Sequence, residues 1–314
     1  GQHFDKDMSN IFFDEMQIPK PKYNLGINKL KYEELIDKMV KEIHSILTKE
    51  NFDGVLVYGD TNSTLAGSIS ANESGLPIFH VESGLRNYNR NMPEEINRII
   101  TDHLSSLLFC PTKNSMENLA KENITNGVVF TGDVMYDSFL KFCKKTSTKN
   151  KNTKSEGYIL STIHRRENIL SERKLREIFK NFNIINKRIR VLMPLHPHTK
   201  EKIIQFGIDS EILFLKPQSY LSMIGLLKNC EMVITDSGGL QKEAFFAKRK
   251  CLIIRNRSEW SELTKLNLDV LCKPEDIYEN YIKISNQRFD FSSNFFGNGT
   301  ASKTIVSSIE NYFS

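Results

Sequence analysis

No stretch of the 314-residue sequence holds the roughly 18 consecutive apolar residues that a membrane-spanning helix requires. Its first residues, "GQHFDKD", lack the basic-then-apolar layout of a secretory signal, and nothing in them supports export. Paired cysteines are also missing. Cys110, Cys143, Cys230, Cys251 and Cys272 stand far apart with no C-x-x-C spacing, an odd set that reads as reduced thiols in a cytoplasmic protein. His196-Pro197-His198 is the one close histidine pair, and it has no neighbouring carboxylate or thiol, so no metal site is expected. There is no G-x-G-x-x-G and no Walker loop, which removes the usual dinucleotide and P-loop signatures. The net charge of +5 is spread along polar faces without aromatics interleaved, the pattern of a solvated surface and not of a nucleic-acid groove.

What is present is repetition of one kind of unit. Short runs of mainly apolar residues recur at Val55–Tyr58, Pro77–Val81, Leu107–Cys110, Val128–Thr131, Tyr158–Ser161, Arg190–Pro194, Ile212–Leu215, Met232–Thr235 and Cys251–Arg255. Because they are continuous and do not alternate, they suit strands of a parallel sheet buried on both faces. Helix-period segments lie between them, such as Tyr32–Leu47, Pro93–Ser106, Glu172–Asn183, Tyr220–Leu227 and Leu240–Ala247. The alternation predicts an α/β protein with right-handed crossovers. One break in composition, "KKTSTKNKNTKSEG" at 144–157, is polar and has no apolar anchor, as a surface linker would be. The expected division is therefore a first domain over 1–150, a second over 151–298, and a C-terminal helix over 299–314 packing back on the first.

Ligands of parallel α/β sheets sit at the carboxyl ends of the strands. There the sequence places Asp60 in "GDTNST", Glu82 and Arg86 in "ESGLR", and Glu94 in the helix start "NMPEEINR". Asp60 and Glu94 are equally readable as ordinary helix-start residues. Glu82, directly after a buried strand, is harder to read as surface decoration and suits proton transfer. "STIHRRENI" adds His164, Arg165 and Arg166, either a solvated charged loop or a phosphate-binding one. "TDSGG", residues 235–239, opens a helix with two residues that are poor helix formers, either a tight turn or an anion seat built from free N–H groups. Glu243, one turn in, is placed to accept from a ribose diol.

Taken in order, "VYGDTNSTLAG", "HVESGLR", "MPEEINRIITDH", "FCPT", "TGDVMYD", "TIHRREN", "PLHPHTK", "TDSGGLQKEA" and "GNGTASKTI" resemble the non-hydrolysing UDP-N-acetylglucosamine 2-epimerase family over nearly the whole chain. The resemblance implies two Rossmann-like domains facing each other across a cleft, a glycosyltransferase-B-like fold, with a UDP-sugar as substrate and no cofactor. It implies cytoplasmic synthesis of precursors for surface polysaccharides by a homodimer. It assigns Asp60, Glu82, Glu94 and His164 to catalysis. UDP and sugar binding would fall to Arg86, Arg165, His196, Tyr220, Ser237, Gly238, Gly239, Glu243 and Arg255.

Three stretches depart from the family pattern. Its first strand and "GTRPE"-like loop have no counterpart here, and Gln2 and His3 are expected to stand just after that loop. "NKLKYEELIDKM", with Tyr32, Glu33 and Glu34, replaces the polar stretch that in many members helps bind a second, activating UDP-sugar. "SEW" at 258–260 stands where the common pattern has "TERPE". A tryptophan there is similar to relatives acting on UDP-2,3-diacetamido-uronic acids, which form the alternative substrate class. A UDP-sugar transferase on the same scaffold is the alternative reaction class.

Overall fold

The computed structural model describes residues 13, 15–27, 30–146 and 157–314. The expectation for Gln2 and His3, and most of the 144–157 segment, lie outside the described residues. The chain is α/β, with parallel sheets in two compact units. The first comprises Ile18–Asp137 together with Asn294–Ser314, and the second Ser138–Ser293. The division thus falls inside the Val134–Cys143 helix, ahead of the polar 144–157 segment. Past the boundary, Phe139 and Phe142 pack on Phe246 and Tyr220 of the second unit, which ties that half of the helix there.

The first unit carries a four-stranded parallel sheet in the order β1 (Val55–Tyr58), β2 (Ile78–Val81), β3 (Leu107–Cys110), β4 (Val128–Phe130). Its register aligns Tyr58 with Val81 and Val81 with Phe109, so the β1 and β2 loops leave at the same edge. The crossover helices Asn62–Glu73 and Lys113–Lys121 begin on Thr61 and Thr112, whose hydroxyls accept from Thr64 N and Ser115 N as N-caps do. All four residues of β2 are buried. In β1, Leu56 and Tyr58 are exposed instead of buried on both faces, because β1 is an outer strand among the described residues.

On one face, Phe79, Val81 and Phe109 form a cluster with Ile305 of the C-terminal helix, Ala301–Phe313. Thr300 makes no side-chain cap there. The Asp137 carboxylate takes over, accepting from Ala301 N at 3.1 Å and Ser302 N at 2.8 Å. Gly132, at φ +80, lets the backbone of 294–297 close on it, since a Cβ there would stand 2.6 Å from Phe296 O.

The second unit carries a six-stranded parallel sheet, formed by β5 (Tyr158–Thr162), β6 (Arg190–Pro194), β7 (Leu213–Leu215), β8 (Met232–Thr235), β9 (Lys250–Ile253) and β10 (Val270–Leu271). The spatial order is β10-β9-β8-β5-β6-β7. From β5 the chain winds one way through β6 and β7, then returns to β8 and winds the other way. Strand order therefore reverses between β5 and β8. The Glu172–Asn186 helix turns Leu175, Ile178, Phe179, Phe182 and Ile185 to the sheet at three- and four-residue spacing, filling a core with Ile159, Val191, Met193 and Ile234. Two-residue β10 has no counterpart among the runs expected from sequence.

Ile305 is 5% exposed and closes the Phe79–Phe109 cluster. Substituting Ile305→Ala is expected to destabilise the protein by about 2–4 kcal/mol, read as a lower denaturant midpoint at unchanged slope.

Candidate active site

In the first unit the Pro93–Leu104 helix sets the geometry. Its buried residues include Glu95, Asn97, Arg98, Thr101 and Asp102, so the face turned to the protein is polar. At 3.6 residues per turn, positions 95, 98 and 102 share a face. Together they grip the loop after β1 and the 82–92 connection after β2. Glu95 accepts from Asn87 N at 2.9 Å and Tyr88 N at 2.7 Å, and pairs with Arg98. Arg98 donates Nε to Asp60 at 2.9 Å and pairs with it through Nη2 at 2.8 Å. Asn97 donates to the Asp60 carbonyl at 2.9 Å. Asp102, fully buried, accepts from His80 Nδ1 and Arg86 Nη1 at 2.7 Å and from Gly84 N at 3.1 Å. Burial pushes the Asp102 carboxyl up, but His80 and Arg86 outweigh it and hold the group below the usual carboxylate range.

Asp60 and Glu82 come together at adjacent strand ends. Gly59 has φ +64, and a Cβ built on it would lie 3.4 Å from Glu82 Oε2. Glu82 itself holds φ +72, an unusual conformation for a non-glycine residue, so its carboxylate is placed at a backbone cost of about 1–3 kcal/mol. Glu94 lies half-buried in the first turn of the Pro93–Leu104 helix. Arg86 is placed differently from the substrate contact implied by resemblance. It is 4% exposed, and its guanidinium meets Asp102 on one side and Glu122, through Nε and Nη2 at 2.7 Å, on the other. Burial alone lowers its pKa, yet the two carboxylates raise it above the ordinary arginine value.

In the second unit the expected residues gather where strand order reverses, the position at which open α/β sheets bind ligands. Thr162 and Thr235, the last residues of β5 and β8, share a hydroxyl contact of 2.6 Å. Beyond them Asp236, fully buried, accepts from His164 N at 3.1 Å, Arg165 N at 3.0 Å and Asn168 Nδ2 at 3.0 Å. That carboxylate fixes the "HRREN" loop beside the "TDSGG" turn. The His164 ring is partly exposed and lies 6.0 Å, centroid to centroid, from His196, the N-cap of the Pro197–Gln205 helix. Burial depresses the His164 pKa, Asp236 opposes this, and Arg165 adds to the depression, leaving it below the ordinary histidine value.

Ser237 caps the Gly238–Phe246 helix by accepting from Leu240 N at 3.3 Å, so that helix starts two residues before the expected Leu240. A Cβ on Gly238 would meet Arg255 Nη1 at 3.5 Å, Trp260 Nε1 at 3.6 Å and Glu259 Oε2 at 3.7 Å, all ordinary contacts. Packing therefore does not require glycine at 238. Arg255 pairs with Glu259 through two 2.8 Å bonds, and the buried Lys242 ammonium lies 4.1 Å from the Trp260 ring centroid. Gly239 and Glu243 are half-buried on the same helix. Tyr220 begins the Tyr220–Asn229 helix and meets Phe142 edge-to-face at 5.9 Å.

The family profile described as UDP-N-acetylglucosamine 2-epimerase matches residues 1–310. The chain belongs to this 2-epimerase family. A UDP-N-acetylglucosamine 2-epimerase homolog of Methanococcus maripaludis is 41% identical, over 99% of this chain and 90% of its own. The UDP-2,3-diacetamido-2,3-dideoxy-D-glucuronate 2-epimerase of Pseudomonas aeruginosa is also 41% identical, over 98% and 88%. Among solved structures, UDP-GlcNAc 2-epimerase of Methanocaldococcus jannaschii in complex with UDP-GlcNAc and UDP aligns with a TM-score of 0.92 at 35% identity. That alignment covers 99% of this chain and 90% of the other.

Within this 2-epimerase, sequence reasoning passed over Glu95, Arg98, Asp102, His80 and Asp236, which place the others. The signal for three of them was the 3- and 4-residue spacing of charges in "PEEINRIITDH". For Asp236 it was a carboxylate directly after a buried strand, the same position that singled out Glu82.

A histidine held below its ordinary pKa favours the folded state at pH above its unfolded value, and that contribution is lost as pH falls through the depressed folded value. NMR titration of the His164 ring is expected to give a midpoint below 6.5, the ordinary value. Arg165→Gln should move that midpoint up, and Asp236→Asn should move it further down. Separately, Asp102→Asn takes from the buried Arg86 one of its two carboxylate partners and from His80 its carboxylate acceptor, and is expected to cost about 3–5 kcal/mol of stability in a denaturant melt.

Proposed function

We propose that this chain is a non-hydrolysing UDP-N-acetylglucosamine 2-epimerase that interconverts UDP-GlcNAc and UDP-ManNAc. The observation that carries the reading is the helix start at Ser237–Gly239. It stands at the reversal point of the second sheet, braced by Asp236 and flanked by Arg255. Glycine inside a helix costs up to about 1 kcal/mol relative to alanine, and ordinary contacts surround the Cβ position of Gly238. An approaching diphosphate supplies the missing reason: its oxygens occupy the space and meet the free N–H groups of the first turn.

In this reading UDP binds at Ser237, Gly238 and Gly239, with Glu243 on the ribose, Tyr220 near the uracil and Arg255, Arg165 and His196 toward the phosphates and sugar. A carboxylate among Asp60, Glu82 and Glu94 takes the C2 proton as the C1–oxygen bond breaks. The bonding pair leaves with UDP, and a C1=C2 double bond forms. Reprotonation of C2 on the opposite face and attack of the UDP oxygen at C1 complete the epimerisation. His164, its ring favoured as the neutral form near pH 7, is available to exchange a proton with the departing or returning diphosphate. The backbone cost stored at Glu82 supports its place among the acid/base groups.

A second substrate is favoured by specific observations. The Pseudomonas relative is named for UDP-2,3-diacetamido-2,3-dideoxy-D-glucuronate, and Trp260 stands beside Gly238 with Lys242 against its ring. The reading also includes a cytoplasmic location, supported by five free cysteines. The homodimer implied by resemblance is tested by sedimentation equilibrium.

Incubation of the enzyme with UDP-GlcNAc in deuterated water is expected to yield gluco and manno products labelled at C2. Label only with the diacetamido-uronate would transfer the reading to that substrate, and no label with either would overturn it. Glu82→Gln is expected to lower the exchange rate by roughly 10²–10⁴ while UDP affinity stays within a few-fold. A transferase on this scaffold would keep its transfer rate in that variant.

A further inference from the structure

We propose that His80 and Asp102 form a buried positioning pair that sets the two loops carrying Asp60 and Glu82. Both side chains are fully buried, and each serves backbone as well as the other. His80 Nδ1 donates to Asp102 Oδ1 at 2.7 Å, and Nε2 donates to the Gly59 carbonyl at 2.8 Å. The other Asp102 oxygen accepts from Gly84 N at 3.1 Å and from Arg86 at 2.7 Å. Asp102 and His80 therefore connect the residue before Asp60 to the residue two past Glu82, through one continuous set of bonds.

The two loops need such a tie. Gly59 at φ +64 and Glu82 at φ +72 both hold left-handed backbone, and Gly84 at φ +76 is a third left-handed position within the same few residues. The two glycines adopt this backbone freely, but Glu82 does so at a cost, and such a position persists where surrounding bonds over-determine it. Gly59 is the point of contact, because its carbonyl receives His80 and its Cα side faces Glu82 Oε2. A shift of the Gly59 peptide displaces Asp60 along the chain and Glu82 across the gap. Neither His80 nor Asp102 is proposed to touch substrate.

The catalytic arm of the test rests on the proposed 2-epimerase activity, while the structural arm does not. Asparagine places its amide nitrogen near Nδ1 of histidine and glutamine near Nε2. His80→Asn thus keeps a donor toward Asp102 and loses the one to Gly59, and His80→Gln does the reverse. Amide hydrogen exchange in the complete chain is the structural reading. His80→Asn is expected to accelerate exchange at residues 59–61 and 82–86 roughly tenfold or more, with the second unit unchanged, and His80→Gln to restore slow exchange at 59–61.

In the catalytic reading, kcat for C2 exchange falls roughly 10–100-fold in His80→Asn with KM and UDP affinity nearly constant, and partly recovers in His80→Gln. Exchange rising evenly across the first unit in both variants, or loops that stay as slow as in the parent, overturns the positioning role. A kcat loss matching only the unfolded fraction overturns it too. If the parent protein shows no C2 exchange with either UDP-sugar, the functional reading fails, and amide exchange alone decides the His80–Asp102 claim.

Discussion

The candidate acid/base half of this 2-epimerase depends on one constraint: charges removed from water must be matched where they end up. Asp102, fully buried, meets that demand with His80, Arg86 and the Gly84 amide at once. Arg86 in turn meets Glu122, and one helical turn before Asp102, Arg98 meets Asp60 and Glu95. The partners outside this helix come from the end of β1, from β2, from the loop after it and from the end of the Lys113–Lys121 helix, so satisfying the charges also shapes the edge of the sheet. The apolar core beneath, from Phe79 to Ile305, supplies the platform but not the precision.

The second unit solves its problem by other means. There a single carboxylate, Asp236, collects two backbone amides and the Asn168 amide, and so moulds a loop instead of pairing with a cation. Strand order reverses between β5 and β8, and the Gly238–Phe246 helix begins directly after β8 at that point. One unit is thus equipped with carboxylates and the other with donors.

Most of the fold was legible in the sequence because buried parallel strands leave continuous apolar runs. All nine runs coincide with strands; two-residue β10 was too short to leave such a signal. Strand ends followed, so the places of Asp60, Glu82, His164 and Ser237 just beyond them were readable from position, while their roles came from the resemblance. The buried face of the Pro93–Leu104 helix was not legible, since charges at helical spacing read by default as a solvated face. Only the partners from β1, β2 and the Asn87–Tyr88 turn reverse that reading, and they are distant in sequence. Arg86 illustrates the opposite error. An arginine near a strand end suggests an anion ligand, and nothing local announces that Asp102 and Glu122 occupy its guanidinium.

The polar face of the Pro93–Leu104 helix also bears on how the first unit assembles. A helix with an apolar face can dock loosely and early, because hydrophobic contact tolerates imprecise geometry. Here Arg98 and Glu95 pair within the helix, but their other partners and those of Asp102 are Asn87, Asp60, His80 and Arg86, and docking before these are in place would cost the charges their water without replacement. Docking of this helix therefore belongs late on the folding path, after the β1–β2–β3 sheet has formed. The bonds that order the acid/base residues then act on the lifetime of the native state more than on the speed with which it is reached.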